Sequence, residues 1–467
     1  MSSSASSTSS GGSARARSHG TQAAQRAVSR LAARTSSSRH SRTERILARL
    51  LVAALVGTHP LSVSAGSEFS DADTTTFDQS TVSLDNQQAG LTTFTIGTDR
   101  TSIGWQDLQQ PENNRLEFNF TSGGRNASVL NYSESINPIH ISGQVVSNGT
   151  VGFANQYGVF VDGTAVIDVG SLVAIAGSVS RDAFQTGGAI EIPLKGRIEN
   201  HGLIRADQNV ALLATSVLNA GEILAGNGNV LLIGGERIEL GDVDVLRASF
   251  AGKKDIQAEL GGGEVTNSGR IDAADAAMLG GRVVNFGEIA IEDGSLLMVG
   301  ADAIYVSRFD NPVLIRVPRG SVGAGIDPSA DPAGAAASDG TAAPRYAIEN
   351  HGQIDAGRGH VRLAAADPLG FSIRQGTGSG AAPARIAAKQ IELEGGEDGR
   401  VQISGELDAS DGSKQGKGGQ IDVTGSIIAL ADATLDASGT RGGGQIRIGG
   451  EQQGSGELQH ARAVVVD

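Results

Sequence analysis

The chain has 467 residues, 66 of them glycine, with no cysteine, one tryptophan and a formal net charge of −14. Absence of cysteine excludes disulfides, so a chain of this length must hold itself by burial and hydrogen bonding, which a large repetitive core supplies. Nine arginines and one acid, Glu44, fall within residues 1–65, leaving a formal −22 on the remainder, and that excess of acid argues against a nucleic-acid partner.

The basic start has a simple reading. Residues 1–45 are rich in Ser, Ala and Arg, and lead into Ile46 to Gly57, whose apolar centre is Leu50 to Val56. Val63, Ser64 and Ala65 then supply the small residues that a signal peptidase reads, which predicts a secretory signal over 1–65 with cleavage at Ala65. The apolar run is too short to span a bilayer, and no later run approaches about 18 consecutive apolar residues. A disordered basic arm for anionic surfaces is the blander alternative.

From 66 to 100 the chain is polar and Thr-rich with sparse apolar residues, among them Phe69, Phe77, Val82, Leu84, Phe94 and Ile96. Such a segment is expected to fold over the open end of a sheet and shield its unpaired backbone. Asn137 to Phe184 then alternates short apolar runs with turn signals at Asn148-Gly149, Asn155 to Gly158, Asp162-Gly163 and Gly170-Ser171, a pattern of short β-strands.

The order of residues here resembles the secretion domain of filamentous-haemagglutinin-like two-partner-secretion exoproteins. Asn148, Gly149, Val151 and Phe153 match that family's Asn-Gly and following strand; Asn155, Gly158 and Val159 match its Asn-Pro-Asn-Gly-Ile turn. Asp168 to Gly170 then lead into Leu172, Val173 and Ala174, and Phe184 closes the segment. Upstream, Trp105, Phe118, Leu130, Asn131, Pro138, Ile141 and Gly143 fall where the family places similar residues, so the resemblance covers about residues 77–184. Gln156 and Tyr157 stand in place of the family's Pro and Asn, which removes a fixed φ from the turn. The resemblance implies export through a cognate outer-membrane β-barrel transporter with periplasmic recognition domains, with Asn148, Gly149, Asn155, Gly158 and Val159 as the recognition and secretion motif. It also implies a secreted or cell-surface adhesin-like role in a Gram-negative bacterium, a host-cell or surface receptor as a further partner, and no cofactor.

A repeat follows. Aliphatic-x-Asn-x-Gly-x-Ile-x-Ala describes Ile198 to Ala206, Val217 to Ala225, Val265 to Ala273 and Ile348 to Ala356, and Val283 to Ile291 departs from it only at the last position. Runs of continuous or alternating aliphatics lie between copies: Val210 to Leu213, Val230 to Ile233, Leu296 to Val299 and Val361 to Leu363. A period just under 20 with two or three short strands per unit predicts an all-β fold, a right-handed parallel β-helix with an N-terminal cap. Aliphatics stack inside, Asn forms a ladder at the corner, Gly permits the tight bend, and the Asn-Gly bends lie outside. At about 20 residues per coil and roughly 4.8 Å per rung, on the order of 15 coils and a rod of about 70 Å are expected.

The domain reading is 1–65 signal, 66–320 secretion domain, 321–345 a Gly/Ala/Pro-rich insertion and 346–467 further coils. The stretch 367–384 reads as a second loop, and Val464 to Val466 as a strand in mid-coil of a truncated chain.

Little chemistry is legible. No two histidines have ligand spacing, and His201 and His351, both the x of Asn-x-Gly, stack at equivalent corners as exposed turn residues if the register holds, so no metal site is expected. Asp162, Asp168, Glu199, Asp207 and Glu222 read as solvated positions without a paired motif, and Trp105 as packed inside. The chain is therefore read as not an enzyme. The alternative is an extracellular carbohydrate-active β-helix enzyme of the pectin-lyase kind, which outward clusters of acids and bases on one sheet would favour.

Overall fold

The computed structural model describes residues 74–187, 189–240, 256–306, 345–365, 371–376, 383–451, 456 and 458–467, all of them in the compact unit Val63–Asp467. The signal segment with Ala65, and most of the two Gly/Ala-rich insertions, lie outside the described residues, but Phe371–Gln375, within the stretch read as a second loop, is a strand paired in parallel with Ile348–Asn350, which corrects that reading.

The described chain winds as a parallel β-helix with three faces. Face 1 carries Thr150–Ala154, Ser171–Ile175 and Val210–Ala214; face 2 carries Gly158–Val161, Arg197–Asn200 and Ser216–Asn219; face 3 carries Val166–Val169, Leu203–Ala206 and Glu222–Leu224. Faces 1 and 3 are 13-stranded sheets and face 2 is 12-stranded, so about twelve rungs are present among the described residues, fewer than the expected 15. One physical reason is that segments such as Ile190–Pro193 and Arg237–Leu240 leave the coil and use residues without adding rungs.

Stacking is in register. Ile198, Val217, Val265, Val283 and Ile348 sit one above another on face 2, and Ile204, Ile223, Ile271, Ile289 and Ile354 on face 3, all at most 1% exposed. Each aliphatic therefore meets its like on the rungs before and after, and the small Ala206, Ala225, Ala273 and Ala356 fit where the coil narrows. Beside them runs a column of amides. Asn200 donates to Asn219 (2.8 Å), Asn219 to Asn267 (2.7 Å), Asn267 to Asn285 (2.8 Å), Asn285 to Asn350 (2.7 Å) and Asn350 to Gln375 (2.9 Å). All six are 0% exposed, so this ladder lies inside the corner, which corrects the outward placement of the Asn-Gly bends. An amide is suited to that position because it both donates and accepts along the stack, satisfying polar atoms that no water reaches.

The following glycine is sterically required. A Cβ on Gly221, Gly269, Gly287 or Gly352 would lie 2.0–2.1 Å from the carbonyl oxygen of the glycine one rung before.

The N-terminal end is closed as its composition predicts. Thr74–Thr76 pairs antiparallel with Arg100–Trp105 at the edge of face 1, and Val82–Asp85 pairs antiparallel with Leu91–Ile96 at the edge of face 3. Phe94 stacks on Phe118 with centroids 5.5 Å apart and meets Trp105 edge-on at 5.8 Å, so Trp105 is a core residue.

A fourth sheet was not foreseen. Ile190–Pro193, Arg237–Leu240, Ile256–Glu259 and Ala303–Val306 leave the coil at separate rungs and form an antiparallel sheet. Its Ile190, Ile192, Ile238, Leu240, Ile256, Ala258 and Ile304 bury against the outward Val173, Ile175, Leu213, Ile233, Leu279 and Val299 of face 1. Double-sided burial is why face 1 strands read as continuous rather than alternating aliphatics. The 48-residue gap between Asn219 and Asn267 thus holds two of these strands rather than a plain loop. Helix Arg181–Thr186, N-capped by Ser180 through the Ala183 N–H, covers the outside of earlier rungs, with Arg181 bonded to the Tyr132 hydroxyl (2.7 Å) and Gln185 to Ser102 (3.0 Å).

Candidate recognition site

The five motif residues converge on two adjacent corners of the third rung. Asn148 mimics a strand partner: its Oδ1 accepts from the Phe120 N–H and its Nδ2 donates to the Phe120 carbonyl, both at 2.9 Å. Gly149 follows because a Cβ there would lie 2.6 Å from the Phe120 ring and 2.8 Å from the Ala127 carbonyl.

Asn155 is the centre of the next corner and is 1% exposed. Its Nδ2 faces the carbonyls of Ser133 (3.1 Å), Ser135 (3.0 Å) and Asn137 (3.1 Å), while its Oδ1 accepts from the N–H groups of Tyr157 (2.7 Å) and Gly158 (3.2 Å). One side chain therefore ties the loop of the preceding rung to its own turn. The constraint that a proline would give through φ is here supplied by hydrogen bonds, while Gln156 and Tyr157 occupy the intervening positions. Gly158 adopts φ +143°, and a Cβ on it would approach the Arg197 carbonyl to 2.6 Å. Val159 points into the core between Ile139 and Ile198. Asn155 and Val159 are thus buried, whereas Asn148 is exposed, and Tyr157, 46% exposed, contributes to the surface beside Asn155.

Asn131 matches the family without a role assigned from the sequence, and Gln375 escaped the sequence reading. Asn131, 0% exposed, accepts from the Trp105 indole N–H (3.1 Å) and donates to the Gly152 carbonyl (3.2 Å), joining three rungs. Gln375 ends the amide column in a copy of the repeat that has Gln for Asn, a substitution too degenerate to match the template.

His201 and His351 do occupy equivalent corners, but Ala220, Ser268 and Phe286 separate them along the stack, so they do not meet. His201 bonds to Glu199 (3.2 Å) and is half-exposed; His351 is nearly buried, bonds to Glu349 (3.0 Å) and stacks on Phe286 at 5.0 Å, unlike the exposed turn residue expected. Burial alone would raise the Glu349 carboxyl, but hydrogen bonds from His351 and Arg282, with the Arg282 charge, outweigh it and hold it below its ordinary value. Among the described residues no three or more His, Asp or Glu converge as a metal site.

Beyond the fourth sheet the outer surface of face 1 is charged. A cavity of about 510 Å³ is lined there by Arg362, Glu392, Glu394, Asp422, Arg447 and Gln459 among others. Asp422 takes a bidentate pair from Arg447 (2.7 and 2.6 Å), and Arg362 reaches Glu394 (2.8 Å). A hydrogen bond from His360 leads the effects that hold the Glu392 carboxyl below its ordinary value. Asp168 pairs with Arg205 (2.8 Å) and Glu199 with Arg197 (3.0 Å) in the same manner. The outward charges are laced into pairs along the rungs.

With this geometry in view, the family described as the TPS secretion domain matches residues 68–308, more than half of the chain. The chain belongs to that family. The secretion domain of HMW1 from Haemophilus influenzae has a similar fold, with a TM-score of 0.51 at 16% identity over 83% of this chain and 97% of that one. The filamentous hemagglutinin secretion domain aligns over the same shares at 13% identity and a TM-score of 0.28. No curated protein matches. The TPS match ends at residue 308, close to the last strand of the fourth sheet, Ala303–Val306, and Asn148 to Val159 lie inside it. A chain carrying this domain is an exoprotein exported through a partner transporter of the outer membrane. No helix among the described residues is long and apolar enough to cross a membrane.

Proposed function

We propose that this chain is a non-enzymatic, adhesin-like exoprotein whose region 66–320 is read in the periplasm by the partner transporter's recognition domains, with the motif Asn148, Gly149, Asn155, Gly158 and Val159 as the part read. The observation that carries this is the coincidence of the TPS match with the capped N-terminal half of the β-helix, at whose third rung the motif residues occupy two adjacent corners. Residues 1–65 act as the cleaved signal, with processing at Ala65. Rungs from Ile348 onward continue the rod and present its surface to a host-cell or other surface receptor. Each rung that emerges buries aliphatics against the one before, worth about 25 cal/mol per Å² before ordering entropy, and this pulls export forward.

The non-enzymatic reading rests on the ion-paired charges. A general acid needs a carboxyl raised towards neutrality, and His360 moves Glu392 the other way. Nothing in the comparisons supports the pectin-lyase alternative. The experiment is expression in a Gram-negative host with and without the partner transporter: the chain reaches the medium only with it, and the purified product releases no sugar from plant or bacterial polysaccharides. Release of the chain without the transporter overturns the export reading, and liberated sugar overturns the non-enzymatic one.

A further inference from the structure

The outer surface of face 1 changes character along the rod. Over the earlier rungs it is aliphatic and lies under the fourth sheet, whereas His360–Ala365, Gln390–Glu394 and Gln420–Thr424 alternate apolar and polar residues. Val361, Leu363, Ile391, Leu393, Ile421 and Val423 fill the core at 0% exposure, so the residues between them point outward. Register stacks these in two columns. Arg362, Glu392, Asp422 and Arg447 succeed one another in the first, and Val299, Ala364, Glu394 and Thr424 in the second. Both columns line the cavity of about 510 Å³ described above.

The borders of this groove are built from the fold. Val299 and Ala301, part of the apolar cluster beneath the fourth sheet, lie at one end. Leu458 and Gln459 flank it, and Gln459 donates to the Gly396 carbonyl at 2.8 Å. The volume is that of a small-ligand site, about 300–1,000 Å³. From the rung of Val299 to that of Arg447 there are four rung spacings, about 19 Å at roughly 4.8 Å each, so the floor is elongated along the rod axis.

The charges of the floor neutralise one another. Asp422 takes Arg447 in two bonds (2.7 and 2.6 Å), Arg362 reaches Glu394 (2.8 Å) and lies 3.8 Å from Glu392, and His360 lies 3.3 Å from Glu392. An ionic ligand would have to open one of these pairs and leave a part-buried charge without its partner. A hydroxyl does not: it donates to a carboxylate lone pair and accepts a guanidinium N–H while the pair stays closed. Neighbouring hydroxyls on one ring can span both partners of a pair. The short side chain of Ala364 keeps the floor low beside Arg362, and Leu458 adds an apolar surface for the C–H face of a sugar ring.

We infer that this groove binds an uncharged oligosaccharide laid along the rod axis, held by hydrogen bonds from its hydroxyls to Arg362, Glu394, Asp422 and Arg447. The inference rests on the adhesin-like reading above and supplies the chemical class of its receptor.

The test uses the full chain collected from the medium after export with its partner transporter. It is applied to an array of neutral, sialylated and sulfated oligosaccharides, and the neutral one with the strongest signal is titrated by calorimetry. Binding is expected on neutral oligosaccharides of several sugars, with affinity little changed by added salt, since no ion pair forms or breaks. Ala364→Phe, which fills the groove from its floor, and Glu394→Ala are each expected to weaken binding about tenfold or more with the melting temperature retained. Asp168→Asn, which alters an ion pair on face 3, is expected to bind like the wild type. If Ala364→Phe lowers the melting temperature, Glu394→Ala decides. Wild-type affinity of the groove variants overturns the inference, and so does a signal confined to sulfated or sialylated oligosaccharides, or none on any of them. A chain that adheres to cultured host cells yet binds no neutral oligosaccharide defeats this inference alone; one that binds the oligosaccharide through the groove but does not adhere defeats the adhesin-like reading instead.

Discussion

Asn219 donates its side-chain amide to Asn267 across 2.7 Å although 48 residues separate them, and the fourth-sheet strands Arg237–Leu240 and Ile256–Glu259 lie in that interval. The ladder is thus continuous where the chain is interrupted, and it sets the register of the rung that resumes.

Mid-ladder and end positions are expected to differ. Asn267→Ala removes two amide-to-amide bonds of the column, those to Asn219 and Asn285, each worth about 1–3 kcal/mol when buried, whereas Asn200→Ala removes one such bond, to Asn219, together with the 3.2 Å bond from the Gly202 N–H. Urea unfolding should show the larger loss for Asn267→Ala; equal losses would mean that the column is decorative.

The glycine beside the ladder gives a steric prediction. Gly269→Ala places a Cβ 2.0 Å from the Gly221 carbonyl and should prevent that rung from closing, while Gly262→Ala has nothing within 4 Å and should change stability by no more than about 0.5 kcal/mol. Circular dichroism and melting of the two variants separate these outcomes.

How much was legible follows from where the signals are local. The coil, its capped end, the Asn column and the buried Trp105 were readable because each rests on a pattern a few residues long: aliphatic-x-Asn-x-Gly, sparse Thr-rich strands, a single large aromatic. The fourth sheet was not, since Ile190–Pro193 and Ala303–Val306 lie far apart in sequence and only the fold brings them over face 1. The continuous run Val210 to Leu213 carried the hint, because a strand with one wet face alternates. At the two motif corners the letters were legible but not their direction: Asn155 and Val159 turn inward, whereas Asn148 is exposed.

Removing a residue from the fourth sheet tests its packing role. Ile238→Ala empties space between that sheet and face 1, where Ile238 is 0% exposed, and should destabilise by about 2–5 kcal/mol. A change under about 0.5 kcal/mol would show that the sheet rides on the coil without stabilising it.

Acid sensitivity follows from Glu349. Its carboxyl is held below the ordinary glutamate value of about 4.3, so its contribution is present above that pH and is lost as pH falls through the lower folded value. Wild-type stability should fall more steeply than that of Glu349→Gln as pH is lowered from about 5 to 3. Parallel curves for the two proteins would contradict the assignment.

The most direct test of the export claim is a passenger experiment. Residues 1–320 and residues 1–65 are each fused to a cysteine-free reporter and expressed with the partner transporter. The account predicts reporter in the medium for the 1–320 fusion and retention in the periplasm for the 1–65 fusion. Equal release of both, or retention of both, would contradict it.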